Sequence, residues 1–459
     1  MKCKYMKSWV PVFTNDNDAL IPEVWAQEAL MILEANMVAA QLVYRDFENE
    51  VAKYGDVVNA HRPGTFVAKR KVDGDSVTVQ DATATNVPVK LDQHIHVSFM
   101  IYDGEESKSF KDLVAMYLSP ALIAQAQGLD QVVLGQMYEF METNSVGKLG
   151  TDPDKAAVIA ANEVLNTNKC PVTGRNMIVT PNAEGALLEL GDFTKVNESG
   201  STQGLIDASL GKKFNFNFYM SQNCPSIAAG NTVVTVATVN GAHAAGSTLI
   251  AITHGGCGAI VAGSWITIAG DMIPHMVTAS TGGATPSDMT ITPALKSAVL
   301  TSAAITIYTP GAVNFVAGYA GGWNKPLVIN GFTVAPKVGQ LTSFGVTAAR
   351  YSQMSTPTTT AMLLNRSLDV GVAHTNVVGI GPAGEYCFGF HKNAIALVTR
   401  PLVAPKAGTG ALSYVANYNG LSIRVTITYN GEKQGHLVTV DLLAGVKTLD
   451  TNLGVVMFA

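Results

Sequence analysis

The chain has 459 residues, of which 47% are hydrophobic and only 14% charged, with a formal net charge of −5 and a mean hydropathy of +0.21. Soluble domains usually carry about a quarter charged residues, so we expect other copies of the chain to cover much of this surface. The negative balance argues against a protein that grips nucleic acid through its phosphates. No apolar stretch reaches the roughly 20 residues of a membrane span, and the N-terminal residues lack the apolar core of a secretory signal, which predicts a soluble chain made in the cytoplasm.

The cysteines predict neither a disulfide framework nor a zinc site. There are five, an odd number, widely scattered and without a CxxC pair: Cys3, Cys170, Cys224, Cys257 and Cys387. We expect reduced thiols, as in cytosolic proteins.

The first hundred residues change from helical to alternating periodicity. Residues 18–44, with Pro22 near their start, have apolar residues at helical spacing. From residue 55 to 103 the period is two, and Asp73-Gly74 marks a hairpin turn. This stretch predicts a long β excursion that reaches a neighbouring subunit, with the basic residues 69–71 at a solvated loop tip beside Asp73 and Asp75.

Residues 119–143 predict a long helix, which we call the spine helix. Ser119 resembles an N-cap and Pro120 a first helical residue. One apolar stripe follows at spacings of three and four: Leu122, Ala126, Leu129, Val133, Met137 and Phe140. At 1.5 Å per residue, a helix of about 24 residues would span about 36 Å.

Residues 151–224 predict a mixed α/β region. We expect a helix at residues 154–166, then a strand and a helix at residues 175–190. A strand should follow with Phe214, Phe216 and Phe218 on one face.

The composition then changes abruptly, because residues 214–270 contain no Asp, Glu, Lys or Arg. Short β runs separated by Gly, Asn, Ser and Pro are typical of a small antiparallel barrel or sandwich. With α/β sequence on both sides, this predicts an inserted all-β domain, whose far boundary lies between Lys337 and Glu385.

The C-terminal part returns to strands. Residues 385–402 contain two β runs, and residues 421–446 form a predicted hairpin that turns at Asn430-Gly431. One face of its first strand is apolar and the other carries Ser, Arg and Thr. Such a strand pair suits a half-buried sheet set against the spine helix.

Three patterns could carry chemistry, and each has a plainer interpretation. "GIGPAG", from Gly379 to Gly384, fits GxGxxG but lacks a following helix and an acidic residue about 20 positions later, so we interpret it as a glycine-rich loop.

The other two patterns are the pairs His94/His96 and Asp271/His275. Neither has an evident third metal ligand. Because no hydrolase, metalloprotease or nucleotide-binding motif occurs, we predict no catalytic residue, no metal, no cofactor and no enzymatic activity.

The order of elements and several stretches resemble the major capsid protein of tailed bacteriophages, whose fold is shared with encapsulins and herpesvirus capsids. The stretches are "LIPEVWAQEAL", "FHKNAIALVTRPL", "GLSIRVTITYN" and "VDLLAGVKTLDTNLGVV". The extra β insertion is similar to that of the podophage-type coat proteins.

The resemblance implies an α+β fold with five parts. These are an N-terminal helical arm (residues 1–54), an extended β loop (55–104), a peripheral domain with the spine helix (105–150 and 430–459), an axial domain (151–224 and 384–429) and the inserted β domain (225–383). Some members of the family crosslink a Lys and an Asn of neighbouring subunits. Lys69 and Lys71 lie on the extended loop, but no Asn partner or catalytic Glu can be assigned, so no crosslink is predicted.

The function implied is a virion protein that self-assembles into hexamers and pentamers of an icosahedral shell around double-stranded DNA. Expected partners are copies of itself, a scaffolding protein, a portal and a decoration protein, with assembly in the host cytoplasm. Three alternatives remain open from the sequence: an encapsulin-like compartment shell, a β-rich surface or adhesion protein, and an enzyme with an atypical site.

Overall fold

The computed structural model describes residues 22–45, 56–62, 68–74, 76–77, 79–80, 85–104, 114–195, 206–227, 237–255, 260–281, 287–308, 313–332, 335–345, 349–354, 358–406, 410–418 and 420–459. Its α-helices are α1 Pro22–Asn36, α2 Ala39–Leu42, α3 Ser119–Leu134, α4 Lys155–Thr167, α5 Pro181–Glu189 and α6 Gly191–Thr194. A π-helical turn covers Val114–Leu118, and 3₁₀ turns cover Gly135–Glu139, Lys392–Ala394 and Thr451–Leu453.

Twenty-five strands complete the described part of the chain. Those before the predicted insertion are β1 Val57–Arg62, β2 Thr85–Lys90, β3 Gln93–Tyr102, β4 Ser145–Gly147, β5 Arg175–Val179, β6 Lys212–Lys213, β7 Phe216–Met220 and β8 Ser226–Ile227. Those inside it are β9 Ala237–Val239, β10 Leu249–His254, β11 Trp265–Ile268, β12 Asp271–Thr281, β13 Asp288–Thr292, β14 Ala304–Tyr308, β15 Leu327–Val328, β16 Leu341–Phe344, β17 Arg350–Ser352, β18 Ala361–Met362 and β19 Val378–Ile380. The last are β20 Gly384–His391, β21 Ile395–Arg400, β22 Leu412–Tyr418, β23 Leu421–Asn430, β24 Gly435–Thr448 and β25 Gly454–Phe458.

The predicted C-terminal hairpin is present as β23 and β24, and it organises a five-stranded antiparallel sheet, the hairpin sheet. Strand β24 is long enough to pair with β3 along one edge and with both β23 and β21, one after the other, along the opposite edge. Helix α1 packs on β22 and β23, while α3 packs on β3 and β24. The predicted docking of the hairpin against the spine helix is therefore observed.

Helix α3 is the predicted spine helix, and all six residues of its apolar stripe are buried. Ser119 is not an N-cap, because the π-helical turn precedes it and Leu118 in that position is itself helical. The α-helical part has 16 residues and then tightens into the 3₁₀ turn, so it is shorter than predicted. At that change a Cβ on Gly135 would lie 2.6 Å from Asn365 Nδ2, because residues of the insertion press on the helix there.

A second sheet has the order β4-β25-β20-β5-β7-β6 and packs against α4 and α5. The predicted helix at residues 154–166 and the strand–helix unit at 175–190 are both present, with Asp154 and Thr180 capping the helices. The three Phe residues are not on one strand, because Phe214 and Asn215 have positive φ and form the turn between β6 and β7. All three rings still pack in the same core.

The strand pairing divides the C-terminal segments differently from the predicted division. Strands β21, β22 and β23 belong to the hairpin sheet, although residues 384–429 were assigned with residues 151–224. Strand β25 pairs with β20 in the second sheet, although residues 430–459 were assigned with the spine helix. The reason is a pair of short turns, Lys392–Ala394 and Thr451–Leu453, which pass the chain from one sheet to the other.

The two ends of the inserted region lie side by side. Strand β8, which precedes it, pairs with β20, which follows it, in the second sheet. Strands β9 to β14 form a closed barrel, as one of the two predicted architectures. Strands β15 to β19 form a second β unit with a separate core, which was not distinguished in the sequence. Both units lie between Ile227 and Gly384.

Candidate assembly interface

Strands β1 and β2 form a two-stranded antiparallel ribbon, whose root is firmly packed. Ala60, Val89 and Leu91 are buried against β21 and β24. A Cβ on Gly445 would overlap the carbonyl oxygen of Lys90, so only glycine allows the ribbon to cross β24 this closely. Strand β3, which was predicted within the excursion, instead lies in the hairpin sheet, because its half-buried alternating residues cover α3.

Between the two ribbon strands, all described residues from 68 to 79 are exposed, and Gln80 is half-buried. Asp73-Gly74 forms the predicted turn, with Gly74 at a φ of 94°, but the described flanking residues are not in strands. Lys69, Arg70 and Lys71 are exposed, as expected for a solvated tip. Val77 and Val79 are 72% and 88% exposed. Apolar side chains in such a position are typical of a surface that another molecule covers.

A groove of about 580 Å³ runs between α1 and β22, which ends the hairpin sheet. Its lining includes Leu30 and Met31 from the helix and residues 414–417 from the strand. Helix α1 contains three glutamates and no Lys or Arg. An edge strand beside an acidic helix can accept an extended, basic segment through backbone hydrogen bonds.

The insertion is fastened to the end of the spine helix by a polar cluster that we call the arginine clamp. Arg366 lies 2.8 Å from Glu139 and 2.5 Å from Asp369, and its guanidinium stacks on Tyr351 at 4.7 Å from the ring centre. Arg350 contacts Glu142 at 3.4 Å. Burial by itself lowers the pKa of Arg366, but the two carboxylates raise it overall, whereas burial lowers the pKa of Arg350.

The barrel also contacts the residues that follow the spine helix. Thr292 donates a hydrogen bond to Glu142, and Lys296 donates one to the carbonyl oxygen of Thr143. No sequence motif marks these residues as an interface. The signal in the sequence is that Arg350, Arg366 and Asp369 are the only charged residues between Lys337 and Glu385, and a buried charge needs a partner.

The histidine pair at 94 and 96 lies on the polar face of β3, with ring centres 5.7 Å apart. His94 Nε2 lies 3.3 Å from Asp441 Oδ2, and Arg424 donates two hydrogen bonds to the same carboxylate, with Arg424 Nε 2.9 Å from Oδ1. These residues connect three adjacent strands. The geometry is that of a cross-strand ion pair that fixes the register of the hairpin sheet.

Asp441→Asn is expected to lower the free energy of unfolding by about 2 kcal/mol at neutral pH, as for other hydrogen bonds to charged groups. Burial raises the pKa of Asp441, but His94 and Arg424 more than offset this, so the net shift is downward. A depressed pKa stabilises the fold above the unfolded value of about 3.9, and this contribution is lost as the pH falls through the folded value.

Urea unfolding between pH 2 and pH 7 measures this effect. The variant should lose less stability than the native chain on acidification. Asp73→Asn, at the exposed ribbon turn, serves as the control and should leave the profile unchanged. Equal acid dependence of Asp441→Asn and the native chain would contradict the assignment.

The second predicted pair, Asp271 and His275, is buried in the barrel with His275 Nε2 3.6 Å from Asp271 Oδ2. His275 Nδ1 lies 2.8 Å from the carbonyl oxygen of Pro293 and therefore donates to it. Asp271 accepts from the backbone N–H groups of Lys296 and Ser297. Both side chains hold the loop after β13 against β12.

The glycine-rich sequence from Gly379 to Gly384 connects β19 to β20 and is followed by a strand. Its first glycine lies where the second β unit meets the barrel, and a Cβ there would overlap the carbonyl oxygen of Gly263. The same junction contains a hydrogen bond of 2.8 Å from Trp265 Nε1 to Ser343 Oγ. This glycine is required for close packing of two backbones.

Cys170, Cys224 and Cys387 are buried free thiols, and Cys3 and Cys257 lie outside the described residues. Burial raises the pKa of all three described thiols. Within the described ranges, no three His, Cys, Asp or Glu side chains are grouped as metal ligands. No helix there combines the length and apolar character of a membrane span.

Several solved structures of phage proteins are similar to this chain. The chain is similar to a chain of "Mycobacterium phage Che8" (12% identity, TM-score 0.41, covering 92% of this chain and 90% of that one). It is also similar to chains of "Capsid structure of the Cyanophage P-SCSP1u" (11%, 0.41, 91% and 90%) and "Capsid of Ralstonia phage GP4" (8%, 0.41, 91% and 87%). No family model and no curated protein matches the sequence.

Proposed function

We propose that this chain is the structural protein of an icosahedral viral shell, in which copies assemble into hexamers and pentamers that enclose packaged double-stranded DNA. The observation that carries the proposal is the ribbon, which is rooted in the hairpin sheet but exposes Val77 and Val79 at its far end. A two-stranded ribbon is marginally stable alone. A neighbouring copy that covers this end would both stabilise it and join two subunits.

The groove between α1 and β22 has the chemistry to receive such a segment. It is lined in part by the apolar side chains of Leu30 and Met31 and by an edge strand, and the charged residues of its helix are all glutamates. The exposed ribbon residues 69–71 are all basic. Contacts between oppositely charged segments of identical copies repeat at every interface of a symmetric shell, so a modest energy per contact suffices.

The proposal extends to the organisation suggested by the sequence resemblance. The second sheet would form the axial domain around the hexamer and pentamer axes, and the hairpin sheet with α3 the peripheral domain. With a net charge of −5, the chain would enclose DNA without reading its sequence. Scaffolding, portal and decoration proteins would be its further partners, with assembly in the host cytoplasm and a final location in the virion.

The test compares the native chain with Val77→Asp/Val79→Asp. Burial of each valine in a neighbour contributes about 1.5–3 kcal/mol, whereas a buried aspartate is unfavourable. The native chain, expressed alone or with a scaffold, should form closed shells in electron micrographs and sediment as large particles. The double variant should remain unassembled with an unchanged circular dichroism spectrum.

Val77→Ile/Val79→Ile keeps the apolar character and is the matched control, which should assemble. A native chain that stays a monodisperse monomer under all these conditions would refute the proposal. Nuclease-resistant double-stranded DNA inside particles from the native source would separate a genome shell from an encapsulin-like compartment.

A further inference from the structure

One loop of the second β unit, residues 365–369, contacts both the spine helix and the root of the ribbon. We call it the bracket loop. Asn365, Arg366 and Leu368 are all buried, so most of the loop is internal, whereas Asp369 at its end is exposed.

On one side, the bracket loop is fixed to the end of the spine helix. Arg366 forms its ion pair with Glu139, and Asn365 lies against Gly135, where the α-helix gives way to the 3₁₀ turn. Asn365 Oδ1 also accepts a hydrogen bond of 3.0 Å from the backbone N–H of Ser352. The contacts of Arg366 and Asn365 with the helix end limit movement of the loop relative to the spine, whereas the bond from Ser352 holds the loop to its own β unit.

On the other side, the bracket loop holds the residues that follow β2. The backbone N–H of Ser367 donates a hydrogen bond of 2.7 Å to Asp92 Oδ2, and Asp92 as a whole residue is 5% exposed. Close by, Lys90 Nζ donates to the carbonyl oxygen of Gly322 at 3.5 Å. The inserted region therefore grips both ends of the turn between ribbon and hairpin sheet.

We infer that the bracket loop sets the angle at which the ribbon leaves the hairpin sheet, and thereby the angle between neighbouring copies in the assembled shell. The ribbon strands have six residues, or about 20 Å at 3.3 Å per residue. A rotation of about 10° at the root would move a point 20 Å away by about 3.5 Å, enough to change which atoms of a neighbour it meets. The part of this inference that concerns shells rests on the proposed function.

The test uses Asp92→Ala, which removes the acceptor for Ser367. Ser367→Ala is the matched control, because the hydrogen bond comes from the backbone N–H and survives the loss of the side chain. Asp92→Asn keeps one acceptor oxygen and provides a milder change if Asp92→Ala folds poorly. Hydrogen exchange of the unassembled proteins and the diameters of assembled shells are measured for all of them.

In Asp92→Ala, we expect the amides of β1 and β2 to exchange about tenfold faster, as for the loss of a hydrogen bond to a charged group. Shell diameters should spread or shift, while Ser367→Ala behaves as the native chain in both measurements. Unchanged exchange in Asp92→Ala and Asp92→Asn would overturn the inference whether or not shells form. Native-sized, uniform shells from Asp92→Ala would overturn its assembly part, whereas failure of the native chain to assemble would count against the proposed function alone.

Discussion

Arg366→Ala is expected to lower the free energy of unfolding of the insertion and its attachment by about 3 kcal/mol, the lower end for breaking a buried ion pair. The substitution leaves Glu139 mostly buried without its closest positive partner, and it removes the guanidinium that stacks on Tyr351. The expected loss of unfolding free energy is near the lower end of that range because the side chain of Asp369 is 39% exposed, and water can replace Arg366 as its partner.

Urea unfolding followed by tryptophan fluorescence measures this change, since Trp265 lies beneath Arg350 in the same cluster. Hydrogen exchange would locate the loss in β17 and the 3₁₀ turn after α3, because separate cores need not unfold together. Arg70→Ala removes an exposed arginine from the ribbon and is the control. If both variants unfold at the same urea concentration as the native chain, the clamp does not hold the insertion in place.

Gly379→Ala should destabilise the junction between the barrel and the second β unit by about 3 kcal/mol, the upper part of the usual range for overpacking. The added Cβ would overlap the carbonyl oxygen of Gly263 and lie 2.9 Å from Ser343 Oγ. The carbonyl oxygen of Gly263 is a backbone atom, so rotation of a side chain cannot relieve the overlap. The hydrogen bond from Trp265 to Ser343 should be lost as the two units move apart.

Thermal unfolding and the near-ultraviolet circular dichroism of Trp265 report this change. Gly318→Ala is the matched control in the same unit, because its Cβ would meet the carbonyl oxygen of Val372 at 3.5 Å, an ordinary contact. A Gly379→Ala protein with native stability would mean that the two units can separate without cost.

Local patterns predicted many elements. The apolar stripe of α3 is buried as expected, the hairpin turns after Asn430, and a strand and a helix occupy residues 175–189. The abrupt loss of charge after Phe214 marked a β insertion, and a closed barrel lies there. Periodicity and turn chemistry are short-range properties, so they are recorded in consecutive residues.

From the sequence one could infer only that Arg350 and Arg366 need oppositely charged partners, not which residues these are. Arg350 and Arg366, with Asp369, are the only charged residues between Lys337 and Glu385, but Glu142 and Glu139 precede the two arginines by more than 200 residues. Nothing in one sequence pairs them. The same holds for Asp92 and Ser367, which are joined by a backbone donor that has no sequence signature.

By itself the sequence determined many of the helical and strand segments, the low charge and the β-rich character of the charge-poor region, because these depend on neighbouring residues and on composition. Only the tertiary structure decided that β25 joins the second sheet while β21 to β23 join the first, and that the insertion contains two β units. The physical reason is that strand partners are chosen by which apolar faces can be buried together in three dimensions. That choice is set by contacts across hundreds of residues rather than by any local pattern.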